Sequence, residues 1–156
     1  MEQIQKNPNR AVAGGIFRNS ESICIGCFTQ SLGEKNALYV ELVAAMTAIE
    51  IAHNNGYNHF WLETDSQLVT LAFNSSSIVP WVLRNRWFNC MLRIRQMRFI
   101  VSHIYREGNA CADSLENIGL SLASSDLFWS ESLPDSIRGE YNRNRLGMPN
   151  FKFTTF

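Results

Sequence analysis

The chain has 156 residues, of which 46% are hydrophobic and 18% charged, and its 14 basic and 14 acidic side chains give a net charge of zero. This composition predicts one folded domain of ordinary size and excludes a disordered chain, which would be poorer in apolar residues. No apolar run approaches the ~18 residues of a membrane span, and the first residues lack the apolar core of a signal peptide. We therefore expect a soluble intracellular protein with no membrane partner, located in the nucleus or the cytoplasm.

Alternating strand-like and helical patterns predict the elements along the chain. The predicted strands comprise residues 11–18, 23–28, 59–62 and 98–105, and the predicted helices residues 36–54, 66–74, 81–96 and 110–120. The polar residues 19–22 between the first two strands are turn-like and predict a hairpin. A hairpin followed by crossover units predicts a mixed sheet covered by helices. The later strands should be parallel, with a functional site at their carboxyl ends.

The charged residues are segregated along the chain. Residues 81–106 carry six arginines and no acid, and they also contain Trp81, Trp87 and Phe88. Residues 107–135 carry six acids and no base. Arginine and aromatic side chains together favour phosphate contact and base stacking, whereas the alternative interpretation is an ordinary solvated helix face.

Four cysteines are present at irregular spacings, and two of them, Cys24 and Cys27, match the spacing of a zinc-binding pair. No second pair follows at zinc-ribbon spacing, and the three histidines are scattered. We therefore favour buried strand thiols over a zinc site.

Three carboxylates occupy positions that can carry chemistry. Asp65 follows a buried strand, Glu41 lies in the most apolar part of the first helix, and Asp113 lies in the first turn of the last predicted helix. Each has an ordinary structural interpretation: Asp65 as a helix cap, Asp113 as a partner of the helix dipole, Glu41 as a residue at the rim of the core. Together they come from three elements that the topology brings toward one end of the sheet. Clustered carboxylates need cations, and oxygen ligands select Mg²⁺ or Mn²⁺.

These carboxylates lie in motifs that resemble type 1 ribonuclease H, in particular its plant reverse-transcriptase-like branch, which is found downstream of retrotransposon polymerases and in stand-alone plant proteins. The motifs are Glu-Leu-Val-Ala-Ala from Glu41, Glu-Thr-Asp-Ser from Glu63 and His-Ile-Tyr-Arg-Glu-Gly-Asn-Ala-Cys-Ala-Asp-Ser-Leu from His103. The sequence Gly-Gly-Ile-Phe-Arg from Gly14 resembles the glycine-rich second strand of that branch. The resemblance covers residues 12–120 and is specific because the order and spacing of the motifs also agree.

The resemblance implies a ribonuclease H-like α/β fold, in which a mixed five-stranded sheet of an antiparallel hairpin and parallel strands is flanked by helices. We expect one such domain over residues 1–120, with its first strand truncated, and an irregular C-terminal extension over residues 121–156. The implied activity is endonucleolytic hydrolysis of the RNA strand of an RNA–DNA hybrid by two-metal catalysis with Mg²⁺ or Mn²⁺. The implied partner is nucleic acid, either an RNA–DNA hybrid or double-stranded RNA.

Carried over by motif, Glu41, Asp65 and Asp113 would be the catalytic metal ligands. The arginine-rich helix lies roughly where bacterial relatives carry a basic substrate-binding protrusion, so its arginines could hold the DNA strand. The candidate nucleic-acid-binding residues are Ser66, Arg84, Arg86, Arg93, Arg106 and Asn109. His103 lies in a predicted strand, whereas the catalytic histidine of bacterial enzymes lies in a loop, and we therefore expect His103 to be structural rather than catalytic.

One part of the family pattern is missing from this sequence. The family has a fourth carboxylate in an Asp-Gly pair at the end of the first strand, which corresponds here to residues 1–3, and no Asp-Gly occurs there. Glu2 is the only acid before Glu21, and its longer side chain makes it a poor substitute as a ligand. Either the sequence starts too late, or the protein is a degenerate, retrotransposon-derived module that binds nucleic acid without cleaving it.

Overall fold

The fold was described from a computed structural model that places residues 10–21, 23–104 and 127–130, with residues 10, 127 and 128 described by their backbone alone. The truncated first strand that the family resemblance implies, near residues 1–3, lies outside these ranges, and so does the predicted helix over residues 110–120. The predicted boundary at residue 120 and most of the C-terminal extension also lie outside them. None of the helices within the described ranges is long and apolar enough to cross a membrane.

The chain first forms the predicted antiparallel hairpin. Strand β1 (Arg10–Arg18) pairs with β2 (Cys24–Glu34), which extends six residues beyond its predicted end. The side chain of Asn19 shapes the turn, because its Oδ1 accepts hydrogen bonds from the backbone N–H groups of Glu21 at 2.9 Å and Ile23 at 3.0 Å. This local bonding is typical of asparagine in turns.

Helix α1 (Ala37–Asn54) agrees with the helix predicted over residues 36–54. Asn36 is the N-cap, and its Oδ1 accepts a hydrogen bond from the Tyr39 N–H at 2.8 Å. Gly56 follows the helix with φ of 70°, a conformation that glycine adopts without strain. Ten residues of α1 are buried, so this helix supplies much of the core.

The next elements form a parallel crossover unit. Strand β3 (His59–Thr64) leads into α2 (Gln67–Asn74), and β4 (Arg98–His103) returns parallel to β3, with Thr64 opposite His103. This confirms the predicted parallel arrangement of the later strands.

The predicted helix over residues 81–96 is shorter and begins differently. A 3-10 turn (Trp81–Leu83) precedes α3 (Arg84–Ile94), and another 3-10 turn (Ser76–Ile78) follows α2. The Leu83 N–H donates to the Pro80 carbonyl at 2.9 Å, which tightens the first turn. The apolar periodicity of the sequence could not distinguish this 3-10 turn from an α-helical start.

The sequence predicts an irregular C-terminal extension, but the structure shows a strand within it. Residues 127–130 form strand β5 (Leu127–Ser130), which pairs antiparallel with β2. The ring of Trp129 lies over Gly26, where a Cβ would come within 2.2 Å of the indole. The prediction failed here because a four-residue strand has too few residues for a periodic pattern and is defined by its partner strand.

Within the described ranges the strands form two groups, β1-β2-β5 and β3-β4, in a mixed α/β architecture. The prediction of a mixed sheet flanked by helices is confirmed. The structure describes five strands, but one of them is β5 from the C-terminal extension, and the first strand of the family fold lies outside the described residues. One core cluster includes residues from both groups. The rings of Phe17 on β1 and Phe60 on β3 stack with their centroids 6.3 Å apart.

Candidate catalytic and nucleic-acid site

Asp65 occupies the position directly after β3, and its side chain is half-buried. The helix that follows is capped by Ser66 instead, whose Oγ accepts a hydrogen bond from the Val69 N–H at 3.3 Å. The backbone N–H of Ser66 donates to Thr64 Oγ1 at 3.1 Å. The interpretation of Asp65 as a helix cap is therefore wrong, and no side chain of the described ranges hydrogen-bonds to its carboxylate.

His103 lies beside Asp65 at the same end of the two parallel strands. Its Nε2 is 3.1 Å from the backbone carbonyl oxygen of Asp65, and since a carbonyl only accepts, the contact requires a proton on Nε2. The Ile104 N–H donates to the Thr64 carbonyl at 2.9 Å and extends the ladder to this edge. The ring thus anchors the backbone of Asp65, which is a structural contact, and it also lies within the candidate site.

Glu41 lies one turn into α1 and is half-buried between two buried neighbours, Val40 and Leu42. The segment between α1 and β3 has only four residues, so the helix returns antiparallel to the strand. Glu41 is about 20 Å from the end of α1 at 1.5 Å per residue. Asp65 is about 20 Å from the start of β3 at 3.3 Å per residue. This topology brings Glu41 and Asp65 to the same end of the fold.

The other predicted site residues, Glu2, Arg106, Asn109 and Asp113, lie outside the described residues. Within the described part of the chain, no group of three or more His, Cys, Asp or Glu side chains is arranged to hold a metal ion. The described residues thus contribute two carboxylates, Glu41 and Asp65, at one end of the fold. Carboxylate oxygens are the donors that Mg²⁺ and Mn²⁺ prefer, so the chemistry of this pair fits the expected metals.

Arg86 is engaged within the fold. Its guanidinium binds both carboxylate oxygens of Glu50, at 2.6 and 3.3 Å, and donates to Thr47 Oγ1 at 3.0 Å. This bidentate pair joins α3 to α1, and such geometry fixes orientation as well as energy. Arg86 therefore has a structural partner that the sequence did not reveal, since residue 50 is distant in the chain.

The other arginines of this segment differ in how far the fold occupies them. Arg84 donates to the backbone carbonyls of Val79 and Ser77 at 3.1 and 3.2 Å, and Arg93 approaches Cys90 Sγ at 4.0 Å. Arg95 and Arg98 are exposed, and the described residues offer their guanidinium groups no partner. Both belong to the arginine-rich segment of residues 81–106, although neither is among the candidate nucleic-acid-binding residues predicted from the sequence.

Cys24 and Cys27 lie on β2 as free thiols, the first half-buried and the second fully buried. Burial, followed by the neighbouring Cys24, raises the pKa of Cys27 from 9.0 to about 12. A zinc ligand must be a thiolate, so an environment that keeps the thiol protonated disfavours metal binding.

Comparisons with known proteins identify the family and the fold of the chain. Residues 3–118 match the model of the reverse transcriptase-like family. A protein of Arabidopsis thaliana, provisionally named a ribonuclease H protein, is 29% identical over 143 residues. That alignment covers 90% of this chain and 23% of the relative, so the chain spans about a quarter of the length of that protein.

Solved structures of ribonuclease H share the fold. RNase H1 of the archaeon Halobacterium salinarum aligns with a TM-score of 0.60 at 19% identity over 71% of this chain and 95% of its own. The RNase H domain of a Mycobacterium tuberculosis protein aligns with a TM-score of 0.52 at 17% identity, over 71% and 91% of the two chains. LC11-RNase H1, which was solved with an RNA/DNA hybrid, aligns with a TM-score of 0.50 at 18% identity, over 71% and 94%. The solved structures show that the fold is that of ribonuclease H. The family match, which spans more than half of the sequence, shows that this chain belongs to the reverse transcriptase-like family.

Proposed function

We propose that this protein is an RNA–DNA hybrid ribonuclease that hydrolyses phosphodiester bonds in the RNA strand. The observation that carries the proposal is the position of Asp65, which directly follows β3 and lies beside His103. Asp65 does not cap the next helix, because Ser66 is the N-cap. A half-buried carboxylate at the carboxyl end of a parallel strand, without a capping role, is a strong candidate for a ligand position. A solved protein of the same fold, LC11-RNase H1, is bound to an RNA/DNA hybrid, which supports nucleic acid as the partner.

In this proposal Glu41, Asp65 and Asp113 hold Mg²⁺ or Mn²⁺. When bound, the metals would supply an activated water and charge stabilisation for the leaving 3′ oxygen. His103 holds the backbone of Asp65 through the contact to the Asp65 carbonyl oxygen and so fixes the point from which the carboxylate extends. Selectivity for the hybrid would come from groove shape and contacts to 2′-hydroxyls, since base edges are poorly accessible in such duplexes.

The candidate nucleic-acid-binding residues extend away from this site. Ser66 begins α2 at the site, and Arg84 begins α3 beyond the far end of α2, about 12 Å along that helix. Arg84 and Arg93 have guanidinium N–H groups that can donate to phosphate. Arg106 and Asn109 are further candidates because they belong to the motif that the sequence shares with the family. We assign Arg86 a structural role because of its pair with Glu50.

A second candidate function is a nucleic-acid-binding module that does not cleave. The specific observation that favours it is the pair of exposed arginines, Arg95 and Arg98, whose guanidinium groups have no partner among the described residues and can contact phosphate without a metal. Binding requires the arginines and the fold, whereas cleavage also requires a complete set of metal ligands.

Hybrid cleavage by the protein and by Asp65→Asn tests the proposal. We expect the protein to cleave the RNA strand of a labelled blunt hybrid with Mg²⁺ or Mn²⁺. We expect Asp65→Asn to lose at least a hundredfold in rate while its hybrid affinity in Ca²⁺ stays unchanged, because the substitution removes charge and retains shape. Labelled double-stranded RNA, assayed in parallel, determines whether that duplex is also a substrate.

Glu21→Gln is the matched control, since Glu21 is an exposed acid in the turn between β1 and β2, at the opposite end of β2 from the segment that leads into α1. We expect this variant to cleave at the rate of the parent. Cleavage that survives in Asp65→Asn would contradict the assignment of Asp65. Binding of the hybrid without cleavage by the parent protein, in either metal, would instead support the non-catalytic module.

A further inference from the structure

A cavity lies between the 3-10 turn at Ser76–Ile78 and helix α3, away from the candidate metal ligands. Its volume is about 390 Å³, and Ser76, Ser77, Arg84, Trp87 and Phe88 line it. An adjoining cavity of about 280 Å³ shares Ser76 and Trp87 and reaches Arg95. Volumes of this size are typical of pockets that hold small organic groups.

Arg84 is held in place at the wall of the larger cavity. Its Nε and Nη2 donate to the carbonyl oxygens of Val79 and Ser77, and its guanidinium carbon is 5.9 Å from the centroid of the Trp81 ring. These two hydrogen bonds use two of the five guanidinium N–H groups. A pre-positioned arginine with remaining donors is suited to a phosphate.

Aromatic rings flank the same arginine and are open to solvent. Phe88, which lines the cavity one turn after Arg84, is 68% exposed, and Trp81 is 82% exposed. Large exposed rings on a short helix segment commonly mark an interaction site. A ring with a free face accepts any nucleobase by stacking, and adjacent cations hold the backbone of the strand.

Trp87 forms part of the walls of both cavities and is itself buried, with 2% of its surface exposed. Its Nε1–H is closed off from solvent, so the indole supplies an apolar wall to the cavities and no hydrogen-bond donor.

The charge around the cavity favours a polyanion. No Asp or Glu occurs between Ser66 and Ile104 in the sequence. Glu50 on α1 contacts α3, but its carboxylate is already paired with Arg86. No carboxylate among the described residues therefore pairs with Arg84 or Arg95, which line the two cavities. A single strand of nucleic acid offers negative charge and planar bases together, whereas an acidic peptide offers the charge alone.

We propose that the cavity between the 3-10 turn at Ser76–Ile78 and α3 binds an unpaired nucleotide, with its base stacked on Phe88 and its phosphate on Arg84. The inference rests on the proposed function for nucleic acid as the ligand, and it adds a substrate class: hybrids that carry a single-stranded extension. Such an extension would cross α3 while the duplex occupies the site at Asp65.

Fluorescence anisotropy with labelled oligothymidylate of about twelve nucleotides tests this site, since that length lies within the ~4–16 nucleotides known for single-strand binding folds. We expect salt-sensitive binding that weakens by about tenfold or more in Phe88→Ala, the effect of losing one base–aromatic stack. Leu92→Ala is the matched control, because Leu92 is 45% exposed on the same helix but lines neither cavity. We expect it to bind like the parent.

The second measurement compares a blunt hybrid with the same hybrid carrying a single-stranded thymidylate extension. We expect the extension to tighten binding in the parent protein and to have no effect in Phe88→Ala. Oligothymidylate affinity that is absent, or equal in Phe88→Ala and Leu92→Ala, would overturn the inference. Equal or tighter binding of a labelled polyglutamate peptide, with the same dependence on Phe88, would also overturn it. Cleavage of the blunt hybrid through Asp65 is scored separately, so failure of either proposal is recognised alone.

Discussion

At the scale of single residues, the thiol of Cys90 shows how packing sets a chemical property. Its Sγ lies on the α1–α3 interface, 3.8 Å from both the Met46 carbonyl oxygen and Glu50 Oε1. Burial, and secondarily the Glu50 carboxylate, raises the pKa of Cys90 from 9.0 to about 11. The folded protein therefore keeps this thiol neutral in a range where the unfolded chain loses the proton.

We expect this difference to make stability depend on pH above 9. Between pH 9 and about 11 the unfolded state binds fewer protons than the folded state, so the free energy of unfolding falls as pH rises. The contribution of Cys90 is complete below pH 9 and is lost by about pH 11, a loss on the order of 2 kcal/mol. Urea unfolding of the protein and of Cys90→Ala at several pH values measures it, and parallel pH profiles for the two would contradict it.

Cys27 is the comparison residue for this effect. Its pKa is raised to about 12, so Cys27→Ala should remove a pH dependence that continues beyond the range of Cys90. The sequence predicted buried strand thiols, whereas the effect of Glu50 on Cys90 could not be predicted, because the two residues are 40 positions apart in the chain.

At the scale of elements, β5 is attached to the sheet by its backbone pairing with β2 and also by the indole ring of Trp129. The indole of Trp129 covers Gly26 and contacts Phe17 edge-on, with ring centroids 5.6 Å apart. A methyl group at residue 26 would meet the indole carbons at 2.2 and 2.3 Å, and the indole lies in a strand whose backbone is fixed by pairing. Glycine is therefore required at this position because of close approach rather than backbone conformation.

Gly26→Ala is expected to displace Trp129 and release β5 from β2, with a loss of stability of about 1–3 kcal/mol, as for other overpacked sites. Limited proteolysis after residue 104 and urea unfolding would measure the release. The same substitution in a Trp129→Ala background should cost much less, because the clashing ring is gone. Equal costs in the two backgrounds would show that Gly26 is needed for another reason.

At the scale of the whole molecule, most elements were predictable, because capping residues, glycine after a helix and apolar periodicity are local signals. Helices α1 and α2 end at Asn54 and Asn74, the residues at which the sequence predicts their ends. The candidate site was predictable as a set of residues, because the motifs name them. Two features could be identified only from the structure. Ser66 rather than Asp65 caps α2, and Arg86 forms an ion pair with Glu50.

A chain of aromatic rings connects the two strand groups. Phe17 contacts Phe60, Phe60 contacts Phe99, and Phe99 contacts Phe73, with centroid distances of 6.3, 5.6 and 5.2 Å. Phe73 then contacts Trp87 at 4.8 Å. Because no strand pairing within the described residues joins β1 to β3, packing through Phe60 should be a main coupling between the two groups.

Phe60→Ala is expected to destabilise the protein by about 3–5 kcal/mol, because Phe60 is 2% exposed and its removal leaves a cavity. Since the ring connects both groups, hydrogen exchange should become faster in β1 and β2 as well as in β3 and β4. Ile100→Ala is the control: this side chain lies on β4 but is 60% exposed, and its loss should cost about 0.5 kcal/mol or less. Faster exchange confined to β3 and β4 in Phe60→Ala would show that the two groups unfold independently, and that the site at the end of β3 does not depend on the hairpin for its stability.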